Sequence, residues 1–221
     1  MKSEGFPFSF LWGDRNRYNH FGYEWAGREI CLSYTFSSLA KSGILPVAAA
    51  VYDGSRLSQE AIENVYEKNP YRRKYHEHEK NSLYALQGTT CFTFGADDSF
   101  AFAVVTDWDS RLEVVDFGGH PDHVLGILAR QLESKRESAL TLRFPGDHPI
   151  PEIYRRSACD LVIRPAAMVR LFDEAFIRKT LFSEIPTIQR QEGGDLERVE
   201  SLFGVFRPGP LNFFLQPIDR V

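Results

Sequence analysis

Cysteine is scarce in this chain: Cys31, Cys91 and Cys159 are the three thiols in 221 residues. An odd, widely spaced set without a Cys-x-x-Cys pair excludes a disulfide scaffold and a cysteine-based zinc module. It fits a reducing, cytoplasmic setting. A chain of this length buries about 70–75% of its unfolded surface, so it needs no such staple. Long apolar runs are also missing. No stretch approaches the roughly 20 residues that span a bilayer, and Met1-Lys-Ser-Glu-Gly is not a signal sequence, so no membrane partner is expected. Basic excess is absent too: 26 basic residues against 30 acidic ones leave a net charge of −4. Such a balance gives no global field to draw in phosphate backbones, and nucleic acid is not an expected partner. Gly-x-Ser-x-Gly, Walker, His-Glu-x-x-His and Gly-x-Gly-x-x-Gly motifs do not occur, which removes the usual short catalytic signatures.

What remains is an ordinary globular composition, 43% hydrophobic and 25% charged, with one excess: aromatics reach 14%, 18 of them Phe. Met1 to Gly5 reads as the last turn of a helix stopped by glycine. Phe6 to Trp12 then alternates like a strand, and Gly27 to Phe36 is rich in β-formers. Ser37 to Gly43 reads as a linker and Leu45 to Tyr52 as a strand closed by Asp53-Gly54. Ser58 to Lys68 is an expected helix with Ser58 as its cap and Ala61, Ile62, Val65 and Tyr66 on one side. Tyr71 to Gln87 reads as a second helix. Thr89 to Phe94, Ser99 to Asp107 and Arg111 to Phe117 follow as strands joined by short turns, the signature of an antiparallel meander. Phe100, Phe102 and Val104 fall on one face of the middle strand. A helix from His120 to Ser138 carries an apolar stripe at Val124, Leu125, Leu128 and Leu132. Leu140 to Phe144 is an expected strand, Ile153 to Ser157 a short helix, and Leu161 to Arg164 a strand. Beyond Pro165 the chain reads as helical, with helices at Phe172 to Ser183 and Asp195 to Phe203, before an apolar Pro- and Phe-rich end expected to pack into a groove. The order implies an α/β (α+β) chain with a mixed, mainly antiparallel sheet and flanking helices.

Most chemistry-bearing residues have plain structural explanations. His76 and His78 lie two apart, so on a helix they point to different faces and belong to a solvated charged surface. They chelate one ion only if the segment is extended. His120 and His123 read as polar residues at a helix start. Tyr71-Arg-Arg-Lys-Tyr75 interleaves basic and aromatic residues, but one such patch in an acidic chain reads as a solvated helix end. The cysteines neighbour apolar strand residues and are expected to be buried and inert. Gly118-Gly119 before a helix could cradle a phosphate, yet Asp122 in the first turn opposes an anion, and a strand-to-helix turn is the expectation. Tyr18 sits in the strongest local text, Leu11 to Gly27. A lone loop tyrosine usually packs, but its hydroxyl can serve as a proton donor if held at a cleft.

Gly13-Asp-Arg-Asn-Arg-Tyr18-Asn-His-Phe21-Gly22-Tyr23, followed by Ala26-Gly27, resembles the Y-x-x-F-G-(Y/F/W)…A-G segment of the GNAT superfamily of N-acetyltransferases. The similarity is closest to multidomain members of the enhanced-intracellular-survival type. LEVVDFGG, HVLGILARQL and LTLRFPGDHPIPEIYRRSACDL, all within Ser99 to Ile163, are similar to the central GNAT-like domain of those proteins. Met168 to Asp173 resembles the opening of their C-terminal region, and Gln216 to Val221 their chain end. The order of these matches carries the resemblance, not any single motif.

The resemblance implies a portion of such a protein: 1–36 as the end of a catalytic domain, 44–164 as a second, degenerate GNAT-like domain, and 165–221 as a helical region with an extended tail. It implies an acyltransferase using acetyl-CoA as co-substrate, with a small-molecule or peptide amine as acceptor and homo-oligomerisation left open. Tyr18 maps onto the general acid that reprotonates the departing thiolate. The α-carboxylate of Val221 maps onto the group that accepts the amine proton in some members. The family's (Q/R)-x-x-G-x-(G/A) pyrophosphate motif, expected upstream of the tyrosine, has no counterpart here, so no cofactor-binding residue is assigned. A non-catalytic GNAT-like module that binds a ligand or partner is the alternative.

Overall fold

The computed structural model describes residues 5–68, 88–108, 111–134, 138–173 and 175. These fall into two compact units, one within Met1–Glu29, Pro145–Asp147 and Ile163–Leu215, the other within Ile30–Phe144 and His148–Val162.

The larger unit is organised by the meander. Strands β5 (Thr89–Phe94), β6 (Ala101–Trp108) and β7 (Arg111–Gly119) pair antiparallel, with the two-residue strand β4 (Ala50–Val51) on the outer side of β5. Alternation along β6 gives it two apolar faces. Phe100, just before β6, with Phe102 and Val104 packs with Cys91, Val115 and Ile62 of helix α3 (Arg56–Glu67). Ala101, Ala103 and Val105 turn the other way, into the main core with Val124, Leu125 and Leu128 of helix α4 (Pro121–Ser134). Each fully buried leucine there contributes about 1.5–3 kcal/mol, and the sheet is held from both sides. Helix α4 starts with Pro121, whose missing N–H costs nothing in the first turn, and with Asp122, whose charge suits the dipole.

A second sheet in this unit is ordered β8-β3-β9, from strands β3 (Glu29–Thr35), β8 (Ala139–Pro145) and β9 (Asp160–Arg164), with the short helix α5 (Glu152–Ser157) between β8 and β9. Ser33 and Thr141 join β3 to β8 by a hydroxyl pair at 3.0 Å.

Three segments differ from expectation. The supposed linker is a helix, α2 (Phe36–Lys41), because Thr35 and Ser38 cap each other reciprocally, each backbone N–H donating to the other's hydroxyl at 3.1 Å. The strand expected from Leu45 shrinks to Ala50–Val51 because the preceding backbone docks on α4, with Val47 N–H donating to the Gly126 carbonyl at 3.2 Å. Helix α3 starts at Arg56, with Ser55 rather than Ser58 in the N-cap position and the Ser55 hydroxyl donating to that of Ser58 at 2.9 Å. The expected helices at 71–87, 172–183 and 195–203 lie essentially outside the described residues.

The smaller unit holds an antiparallel sheet ordered β1-β10-β2, from strands β1 (Phe8–Leu11), β2 (Glu24–Ala26) and β10 (Ala167–Leu171). Ala167–Leu171 was expected to open a helical region. It is a strand because Ala167, Met168 and Val169 are buried along consecutive positions, a pattern that suits a central strand flanked on both edges.

Candidate active-site loop

Between β1 and β2 the chain makes one helical turn, α1 (Arg15–Tyr18), continued as a 3-10 turn over Asn19–Phe21. Asp14 caps it, its carboxylate accepting from Asn16 N–H at 2.9 Å. A single turn fixes many dihedrals for few hydrogen bonds and does not stand alone. Two tethers hold it. Arg15 closes a fork on Glu24 of β2, Nε to Oε2 at 2.7 Å and a terminal nitrogen to Oε1 at 3.0 Å. Its guanidinium also lies 5.5 Å from the Trp25 ring centre. Glu24 is buried, and its hydrogen bonds and charge hold the Arg15 guanidinium still more firmly protonated than usual. The second tether closes the loop: Tyr23 N–H donates to the Tyr18 carbonyl, and Gly22 takes the left-handed conformation the reversal requires, with φ of 78°.

Tyr18 is the last residue of α1 and half-buried. Its ring meets Tyr23 edge-on, with centres 6.4 Å apart, and the Tyr23 hydroxyl is fixed by Ser9 of β1 at 2.7 Å. On another side the ring lies over Gly13, where an added Cβ would come within 2.7 Å of Cε2. Among the described residues nothing hydrogen-bonds the Tyr18 hydroxyl. The ring is thus braced by Gly13 and Tyr23. Val221 lies outside the described residues.

The other singled-out residues behave structurally. Gly118 and Gly119 serve packing: a Cβ on Gly119 would come within 2.1 Å of the Phe100 carbonyl, and one on Gly118 within 2.5 Å of Val65. That turn is filled by protein and is a poor fit for a pyrophosphate. His123 donates from Nδ1 to the Ser99 carbonyl at 2.5 Å and stacks edge-on with Phe94, while His120 lies beside it with ring centres 4.8 Å apart. Cys31 and Cys91 are buried as expected, but Cys159 is exposed, because the chain has left α5 at the surface before β9 begins. His76, His78 and the Tyr71–Tyr75 patch lie outside the described residues, among which no group of three metal-type side chains occurs. Among the described residues no helix is long and apolar enough to cross a membrane.

Gly13, Arg15, Tyr23 and Glu24 did not stand out in the sequence as site residues. Asp14 ahead of a short polar run signals the cap, but the Arg15–Glu24 fork joins residues nine apart across a reversal, where no periodicity reveals a partner.

No family model matches the chain, and neither does any curated protein. Solved structures do. A conserved protein of unknown function from Enterococcus faecalis V583, described as a probable N-acyltransferase, matches 80% of this chain and 48% of its own at 14% identity and a TM-score of 0.50. A GCN5-related N-acetyltransferase from Kribbella flavida matches 78% of this chain and 45% of its own at 20% identity and a TM-score of 0.49. Eis1 from Mycobacterium abscessus matches 78% and 49% at 18% identity and a TM-score of 0.41. The chain spans about half the length of these structures. At such identities the likeness is one of fold alone, and the chain shares over its aligned part the fold of the Enterococcus faecalis protein, in keeping with the antiparallel sheets and flanking helices seen here.

Proposed function

We propose that this chain belongs to an N-acetyltransferase that moves acetyl from acetyl-CoA to an amine, with Tyr18 as the general acid. The amine nitrogen attacks the thioester carbonyl, a C–N bond forms, the C–S bond breaks, and the departing thiolate takes a proton from the Tyr18 hydroxyl. The amine's surplus proton goes to a base, assigned by resemblance to the Val221 carboxylate. The observation that supports this reading is the seat of Tyr18: a ring braced by Gly13 and Tyr23, with its hydroxyl outside any hydrogen bond among the described residues. The test follows free coenzyme A with a thiol reagent while a panel of primary amines is presented with acetyl-CoA. Tyr18→Phe should lower kcat by about 10²–10⁴-fold; an unchanged kcat removes Tyr18 from the role.

A second reading is favoured by one observation, the Gly118-Gly119 turn occupied by Phe100 and Val65. On that reading the chain is a non-catalytic GNAT-like module that binds a ligand or partner. Isothermal titration with acetyl-CoA separates the two, since micromolar binding supports the transferase and no binding supports the module.

A further inference from the structure

We propose that Gly13, Arg15 and Glu24 are positioning residues for Tyr18, a deepening that rests on the transferase reading above. Gly13 carries the argument. Its backbone is not in the left-handed region, so the main chain there accepts an alanine without strain. It is exposed, so no core packing depends on it. An added Cβ would meet Leu11 at an ordinary 3.5 Å but the Tyr18 ring at 2.7 Å, with Cδ2 at 3.2 Å. Among the described residues, only the Tyr18 ring lies closer than ordinary contact to a side chain at position 13. An alanine would push that ring back by about 0.7 Å to reach ordinary contact at 3.4 Å, and misplacement of about 1 Å in a reacting group can cost about 10²-fold in rate.

Arg15 and Glu24 set the other coordinate. The turn that ends in Tyr18 is too short to hold itself, and the two-nitrogen fork on a buried carboxylate ties it to β2. A lysine at 15 keeps the charge but offers a single point donor in place of the planar fork, so Arg15→Lys loosens the turn without changing the net charge.

The experiment combines kinetics with NMR of the full chain labelled at tyrosine Cζ, the Tyr18 signal being the one missing in Tyr18→Phe. Gly13→Ala should shift that signal and lower kcat by at least tenfold with KM within about twofold. In a Tyr18→Phe background the same alanine should have no further effect on kcat, since the two residues act as one unit. Arg15→Lys should broaden or shift the same signal. Equal losses from Gly13→Ala in both backgrounds would overturn the proposal, as would an unmoved Tyr18 signal in both variants. If Tyr18→Phe alone leaves kcat unchanged or no transfer is observed, the transferase reading fails, while the NMR still decides whether Gly13 and Arg15 hold the ring.

Discussion

The hydroxyl of Tyr34 donates to the backbone carbonyl of Tyr154 at 3.1 Å, across 120 residues of sequence. Tyr34 belongs to β3 and Tyr154 to α5, so this bond ties the short helix to the middle strand of its sheet. Both phenols are buried, and burial pushes each well above its ordinary pKa range. Tyr34→Phe keeps the ring packing and strands the Tyr154 carbonyl, which should cost about 1–3 kcal/mol. Urea unfolding reads this directly. A midpoint equal to that of the parent chain would show that the bond contributes nothing net.

Gly119 should be the least replaceable residue of the β7–α4 turn. Its φ of 94° lies where L-residues are strained, and a Cβ added there would meet the Phe100 carbonyl just ahead of the neighbouring strand. Gly119→Ala therefore combines backbone strain with a steric clash against main chain, and should destabilise by about 1–3 kcal/mol or prevent soluble expression. Gly54, also left-handed but with nothing among the described residues within 4 Å of an added Cβ, is the control. Gly54→Ala should cost distinctly less, because only strain acts there. Equal losses at the two sites would refute the close-approach explanation.

The meander was legible because β5, β6 and β7 alternate with period two and end at turn residues. Thr89–Phe94 was read to the residue, and Phe100, Phe102 and Val104 do share one face. Helix α4 was equally plain, since its stripe and its Pro121-Asp122 start agree. Failures came where a local cap went unread or a distant partner overrides the local text. Ser37 and Ser38 read as a linker, yet a reciprocal cap with Thr35 starts a helix there. Ala167–Leu171 pairs with Phe8–Leu11, more than 150 residues earlier, and nothing local announces such a partner. The candidate site divides the same way. Tyr18 and its loop could be found from the text, whereas Gly13 under the ring and Glu24 under Arg15 emerge only once the chain has reversed.

The three thiols should separate by exposure. Cys31 and Cys91 are buried, and Cys159 is exposed with its Sγ donating to the Ser33 carbonyl at 3.2 Å. A disulfide reagent such as DTNB added to the native protein should therefore titrate one thiol in a fast phase. The other two should react only as fast as the protein opens, and all three at once in guanidinium. Cys159→Ser should abolish the fast phase. A fast phase of two or three thiols in the parent chain would contradict the packing of β3 and β5.

Cys91 should make the protein sensitive to alkali. Burial, with a smaller contribution from the Asp116 carboxylate, pushes its pKa from 9.0 up to about 12. The folded state thus keeps the proton that the unfolded chain gives up. Stability from this group is fully present below about pH 9 and is lost as pH rises towards 12, at up to about 1.4 kcal/mol per pH unit and about 4 kcal/mol in all. Tyr34 and Tyr154, also raised by burial, add to the loss at the upper end. Cys91→Ala isolates the thiol. The variant starts less stable because it leaves a small void beside Ile62 and Phe102. Its urea midpoints, measured at whole pH units from 8 to 11, should nevertheless fall less steeply than those of the parent chain, and the two curves should converge. Parallel curves would mean that Cys91 ionises as readily in the folded chain as in the unfolded one, and that its side of the β5–β6–β7 sheet admits water.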